Sequence, residues 1–124
     1  MSIQLMKKTL VNGIKLAVAS GLAFLALSCG TTKLYSWYDY QEDYYHAMKD
    51  ADEESVKDLA ETYQKIIEKQ KETRGIVPPG IYADYGWMLL QSGKVEEGKA
   101  MLAKEMELYP ESATFVGSIL KRYE

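Results

Sequence analysis

The stretch from Pro78 to Ser112 constrains the chain most, because its punctuation falls at helix-hairpin spacing. Pro78-Pro79 opens it, Ser92-Gly93 divides it and Pro110 closes it. Proline suits a first helical turn, where its missing N–H is not needed. Glycine supplies the turn that ends a helix, and a following proline cannot continue one. Ile81, Tyr82, Tyr85, Met88 and Leu89 recur at helical spacing and are expected to face inward. A second helix, Lys94 to Tyr109, places Val95, Leu102, Met106 and Tyr109 on one face. Two antiparallel helices are therefore predicted.

The flanks read the same way. Ser36 to Asp50 predicts a first helix, with Ser36 as its cap and Asp39 three residues on as the capping-box partner. Trp37, Tyr40, Tyr44, Ala47 and Met48 form its apolar face, and Tyr38, Glu42 and Tyr45 lie opposite. Glu53 to Arg74 predicts a long helix with Val56, Leu59, Ala60, Tyr63, Ile66 and Ile67 on one stripe and Gly75 after its end. Glu111 to Tyr123 predicts a last helix, with Phe115, Val116, Ile119, Leu120 and Tyr123 inward. No stretch alternates with period two, so residues 36–124 are expected to form an all-α domain of about five antiparallel helices.

Within the central pair, Tyr82-x2-Tyr85-Gly86-x2-Leu89, followed by Gly98, Leu102 and Pro110, resembles a tetratricopeptide repeat. Pro79 to Ser112 is 34 residues, one repeat length. Gly98 departs from the usual Ala, at an expected cost of about 1 kcal/mol in a helix interior. Glu105 stands where a small residue is commoner. The resemblance implies stacked hairpins whose first helices line a concave face. The candidate contact surface is then Tyr38, Glu42, Tyr45, Asp84, Trp87 and Gln91. Ten tyrosines, five of them from Tyr35 to Tyr45, add to its aromatic character; the plainer reading is that they are packing residues with wet hydroxyls.

Residues 1–28 are expected to stand apart. Lys7, Lys8 and Lys15 occur without an acid, and Leu16 to Leu27 is apolar or small throughout, as in an export signal. Twelve residues reach only about 18 Å as a helix, short of a hydrocarbon core of about 30 Å. Leu25-Ala26-Leu27-Ser28-Cys29 resembles the lipobox of bacterial lipoproteins, with Ala26 and Ser28 departing from its preferred residues. The resemblance implies cleavage before Cys29, the only cysteine, and covalent lipid on it. Residues 29–35 would be a lipidated tether. Gly30, where inner-membrane-retained lipoproteins carry Asp, leans the location to the outer membrane's periplasmic face.

Losing residues 1–28 leaves twelve basic residues against 18 acidic ones, a net charge of −6, which disfavours nucleic acid as a partner. His46 is the only histidine and has no ligand-spaced companions, so no metal site is expected. No nucleophile–base pattern and no phosphate loop appears, and the expectation is that the protein is not an enzyme and uses no cofactor beyond its lipid.

A wider resemblance runs through Leu34-Tyr35-x-Trp37, Tyr40, Tyr44, Pro78-Pro79-Gly80-x2-Ala83-x-Tyr85-Gly86 and Tyr109-Pro110-Glu111-Ser112. It is similar to the DUF4810 family of small bacterial lipoproteins. The genes of that family often neighbour those of a CsgG-like outer-membrane lipoprotein and of the DUF799 lipoprotein family. The resemblance implies envelope proteins as partners and supplies no catalytic residues. The expected function is a lipid-anchored adaptor between proteins of an envelope complex. The alternative is a glycan- or peptidoglycan-binding module using the Tyr-rich helical face.

Overall fold

The computed structural model describes residues 2–27 and 30–124. Ser28 and Cys29, the expected cleavage point and lipid attachment site, lie outside the described residues. The chain divides into two units, Met1–Thr32 and Lys33–Glu124. The first holds one helix, α1 (Ser2–Leu27). Among the described residues no helix is long and apolar enough to cross a membrane.

The second unit is a bundle of five helices, so the described chain is all-α with six and no strand. They are α2 (Tyr40–Lys49), α3 (Glu53–Glu68), α4 (Ile81–Gln91), α5 (Val95–Leu108) and α6 (Ala113–Leu120). A single 3-10 turn, Pro110–Ser112, leads into α6. Helix α4 is central because it is apolar on two sides. Ile81, Tyr85 and Leu89 pack with Ala47, Leu59, Tyr63 and Ile66 of α2 and α3. Ala83 and Leu90 pack on the other side with Leu102, Val116 and Ile119 of α5 and α6.

The turn between α4 and α5 follows the sequence closely. Gly93 takes φ +81°, and Lys94 N–H donates to Leu89 O at 2.9 Å, closing the α4 end. The two helices then run antiparallel at unusually close range. A Cβ on Gly86 would lie 2.9 Å from Gly98 O, and one on Gly98 would lie 2.8 Å from Gly86 O. Gly98 is thus one half of a backbone contact that no side chain can enter, and what reads locally as a helix defect is a packing requirement.

Several boundaries differ from expectation. Ser36 does not cap the first helix. Its Oγ accepts from Lys71 N–H at 3.0 Å, and the Gln70 amide bonds both its N–H and its C=O at 2.9 Å. Tyr38 has φ +49°, so the chain turns before α2 begins at Tyr40. The long helix stops at Glu68 rather than Arg74. Gln70 Nε2 folds back to Ile66 O at 2.9 Å, and the Tyr38 hydroxyl donates to Lys69 O. The stretch beyond is held by Thr73 and Arg74 N–H groups donating to Lys33 and Leu34 C=O at 3.4 and 3.1 Å. Residues 33–36 are therefore stitched to 70–74, which shortens any free tether.

Pro78 and Pro79 precede α4 instead of opening it, since Gly80 at φ +92° intervenes. Phe115, expected inward, is 68% exposed, because α6 is short and turns Val116 and Ile119 to the core. Trp37, Met48 and Val56 are likewise exposed.

Candidate functional site

Helices α2, α3 and α4 enclose a groove of about 460 Å³. Tyr44 and Met48, one turn apart on α2, form one wall. Val56 and Leu59 of α3 form the floor, and Asp84, Trp87 and Gln91 of α4 form the other wall. The last three share a face because they are spaced by three and four residues. Trp87 is 38% exposed and Tyr44 41% exposed. A larger apolar surface, about 730 Å³, runs along α1 beside Ile3, Met6 and Leu10, but it is the side of a lone helix in the other unit.

Below the groove lies a ladder of aromatic rings. Trp37 to Tyr40, Tyr40 to Tyr44, Tyr40 to Tyr63 and Tyr63 to Tyr85 all have ring centroids 5.5–5.7 Å apart. The ladder is tied to α4 by the Tyr40 hydroxyl, which donates to Asp84 Oδ2 at 3.2 Å. It is tied to α3 by Gln64 Nε2, which donates to the Tyr85 hydroxyl at 2.8 Å. Burial, and then the Asp84 carboxylate nearby, pushes the Tyr40 hydroxyl up to about 12 and raises Tyr63 further. Burial also raises Asp84, against the lowering effect of the Tyr40 bond. Asp84 keeps solvent contact on the groove side while its carboxylate sits among these rings, which moderates that shift. Tyr40 and Tyr63 therefore stay neutral near pH 7.

The structure brings three of the six candidate residues together: Asp84, Trp87 and Gln91. The other three lie elsewhere. Tyr38 is half-buried near the start of the domain, with Lys65 Nζ 4.5 Å from its ring centroid. Tyr45 and Glu42 are exposed on α2 and do not line the groove; Lys49 Nζ lies 5.7 Å from the Tyr45 ring. Tyr44 and Met48 were missed because the helical stripe assigned them to the core. Only Ala47 of that stripe is fully buried, and Tyr44 and Met48 face the open groove. Among the described residues no three His, Cys, Asp or Glu side chains are placed to hold a metal ion. His46 Nδ1 instead pairs with Asp50 Oδ2 at 3.1 Å.

The position of α4 is itself set by a charged group from α5. Glu105 is 2% exposed. Its Oε1 accepts from Gly80 N–H at 2.8 Å and its Oε2 from Ala83 N–H at 3.3 Å. Gly80 has no side chain with which to cap α4, and the carboxylate supplies the cap from a neighbouring helix. Trp87 and Gln91 are therefore carried by a helix fixed at both ends, at Glu105 and at Gly93.

The family described as "Domain of unknown function (DUF4810)" matches residues 34–119, a span that takes in every residue of the groove and its aromatic ladder. No curated protein and no solved structure matches the chain.

Proposed function

The chain belongs to the DUF4810 family, and from that premise we propose that it is a binding module of the cell envelope whose ligand lies in the groove between α2 and α4. A glycan strand is the ligand this groove suits best. The observation that carries the reading is the pairing of two exposed rings, Tyr44 and Trp87, with the Asp84 carboxylate and the Gln91 amide in one cleft. Ring faces pack on the C–H faces of sugars, and the carboxylate and amide take hydroxyl hydrogen bonds. The volume falls in the usual range of ligand sites, about 300–1,000 Å³. The module acts by binding rather than by catalysis.

A second reading is favoured by Met48 and Val56, whose exposed side chains add apolar surface to the groove. It is an adaptor that docks a partner protein, a CsgG-like or DUF799-type lipoprotein being the partner the resemblance implies. In both readings α2 and α4 are first helices of tetratricopeptide-like hairpins, and each supplies one wall of a concave face. In both, the signal is removed, Cys29 carries the lipid, and the domain sits on the periplasmic face of the outer membrane.

Sedimentation with purified peptidoglycan sacculi tests the first reading. The protein should be retained, and Trp87→Ala should weaken retention at least tenfold with unchanged helicity, since a central aromatic anchor contributes about 2 kcal/mol or more. If the unaltered protein stays in the supernatant, the glycan reading is refuted. Affinity purification from membranes, with the loss of one defined protein in Trp87→Ala, would then support the adaptor.

A further inference from the structure

We propose that the edge of the domain formed by residues 33–38 and 69–76 is a docking face for anionic phospholipid headgroups. The charge of the chain is sharply divided. Lys33, Lys69, Lys71 and Arg74 fall in these two short segments against a single acid, Glu72, for a local charge of +3. The remainder of the chain after residue 28 carries −9. The segments lie together in space because the Thr73, Arg74 and Lys71 N–H groups donate to Lys33 O, Leu34 O and Ser36 Oγ. Sequence order alone would scatter these cations, and the stitching collects them on one face.

The same face also exposes apolar and aromatic side chains. Lys33, Leu34, Trp37 and Lys71 line one open surface depression. Leu34 is 50% exposed and Trp37 42% exposed. A tryptophan that shares its surface depression with two lysines, Lys33 and Lys71, against one acid, Glu72, matches the composition of a membrane–water interface. Each such cation near an anionic leaflet contributes about 1 kcal/mol, roughly fivefold in partitioning.

Chain connectivity keeps this face close to a lipid carried on Cys29. Four peptide links separate Cys29 from Lys33, a reach of at most about 14 Å. The inference rests on the reading that Cys29 is lipidated. It adds that the domain lies against the leaflet with Trp37 at the headgroups, instead of hanging freely from its lipid. The orientation would leave the groove near Trp87 accessible on a different part of the domain.

The test uses the full chain carrying Trp87→Phe, so that Trp37 is the only indole, reconstituted into vesicles with brominated acyl chains. The vesicles are phosphatidylethanolamine with or without phosphatidylglycerol. Trp37 fluorescence should be quenched when phosphatidylglycerol is present, and less so at high salt. Lys33→Glu, Lys71→Glu and Arg74→Glu together should lower the partitioning of the face on the order of 100-fold, returning quenching to the level of neutral vesicles. Equal quenching in neutral vesicles or in the triple variant would overturn the charge recognition. No quenching in any vesicle would overturn the docking face and leave it to another occupant. The mass of the peptide containing residue 29 is read separately: an acyl addition there without Trp37 quenching refutes this inference alone, whereas an unmodified cysteine refutes the anchor.

Discussion

Replacing Gly98 by alanine sets two effects of opposite sign against each other. Helix propensity favours alanine by about 1 kcal/mol, which on local grounds alone would make the variant more stable. The tertiary contact opposes it. The new Cβ would stand 2.8 Å from Gly86 O, 2.8 Å from Leu90 Cγ and 2.9 Å from Leu90 Cδ2. A carbon packs against carbon at about 3.5–4.0 Å and against a carbonyl oxygen at about 3.3 Å or more. Neither neighbour can yield cheaply. Gly86 O belongs to the α4 backbone, and Leu90 is packed with Leu102, Val116 and Ile119. The helices must separate, loosening Leu102, which has no exposed surface. Overpacking of this kind costs about 1–3 kcal/mol, and two blocked directions place it at the upper end. The net expectation is a loss of about 1–2 kcal/mol, a fall in Tm of roughly 5–10 °C for a domain of this size.

Gly117 on α6 is the control, because a Cβ there meets nothing within 4 Å. Gly117→Ala should feel propensity alone and raise Tm. Thermal unfolding of both variants by circular dichroism, beside the unaltered chain, reads the two signs directly. A Gly98→Ala protein as stable as the parent, or shifted in the same direction as Gly117→Ala, would refute the close-contact argument.

Two further outcomes follow from the carboxylates of Glu105 and Asp84. Glu105→Ala should cost about 2–4 kcal/mol by leaving the Gly80 and Ala83 N–H groups unpaired. Glu105→Gln, which keeps one acceptor, should cost about 1 kcal/mol, and amide hydrogen exchange at residues 80 and 83 should quicken in the order Glu, Gln, Ala; equal costs for Ala and Gln would contradict the capping role. At Asp84 the folded state holds its proton more tightly than the unfolded chain, so stability falls as pH rises from the ordinary carboxylate range through the raised value. Asp84→Asn should therefore gain Tm over the parent at pH 7 and lose that advantage as the pH drops below about 4, the gap being modest because the groove is open to water. A gap that does not change with pH would show that Asp84 is not held in an ionisation-disfavouring setting.

What the sequence determined about this protein is local. The helical spacing of Leu59, Tyr63 and Ile66, the turn at Gly93 and the stop at Pro110 each depend on neighbours within one turn, and each is present as read. Membership of the family, through Leu34, Trp37, Tyr85-Gly86 and Tyr109-Pro110, was equally legible. Half of the candidate surface was too, since Asp84, Trp87 and Gln91 share a face of one helix whatever surrounds it. The tertiary structure alone decided the rest, because burial and hydrogen-bond partnership depend on groups distant along the chain. Ser36 would cap a helix by itself and is instead claimed by Gln70, 34 residues on. Tyr44 and Met48 would be core if another element covered them, and among the described residues they line an open groove instead. Glu105 and Gly98 are poor choices for an isolated helix, and each is required by the face of α4 that packs against it.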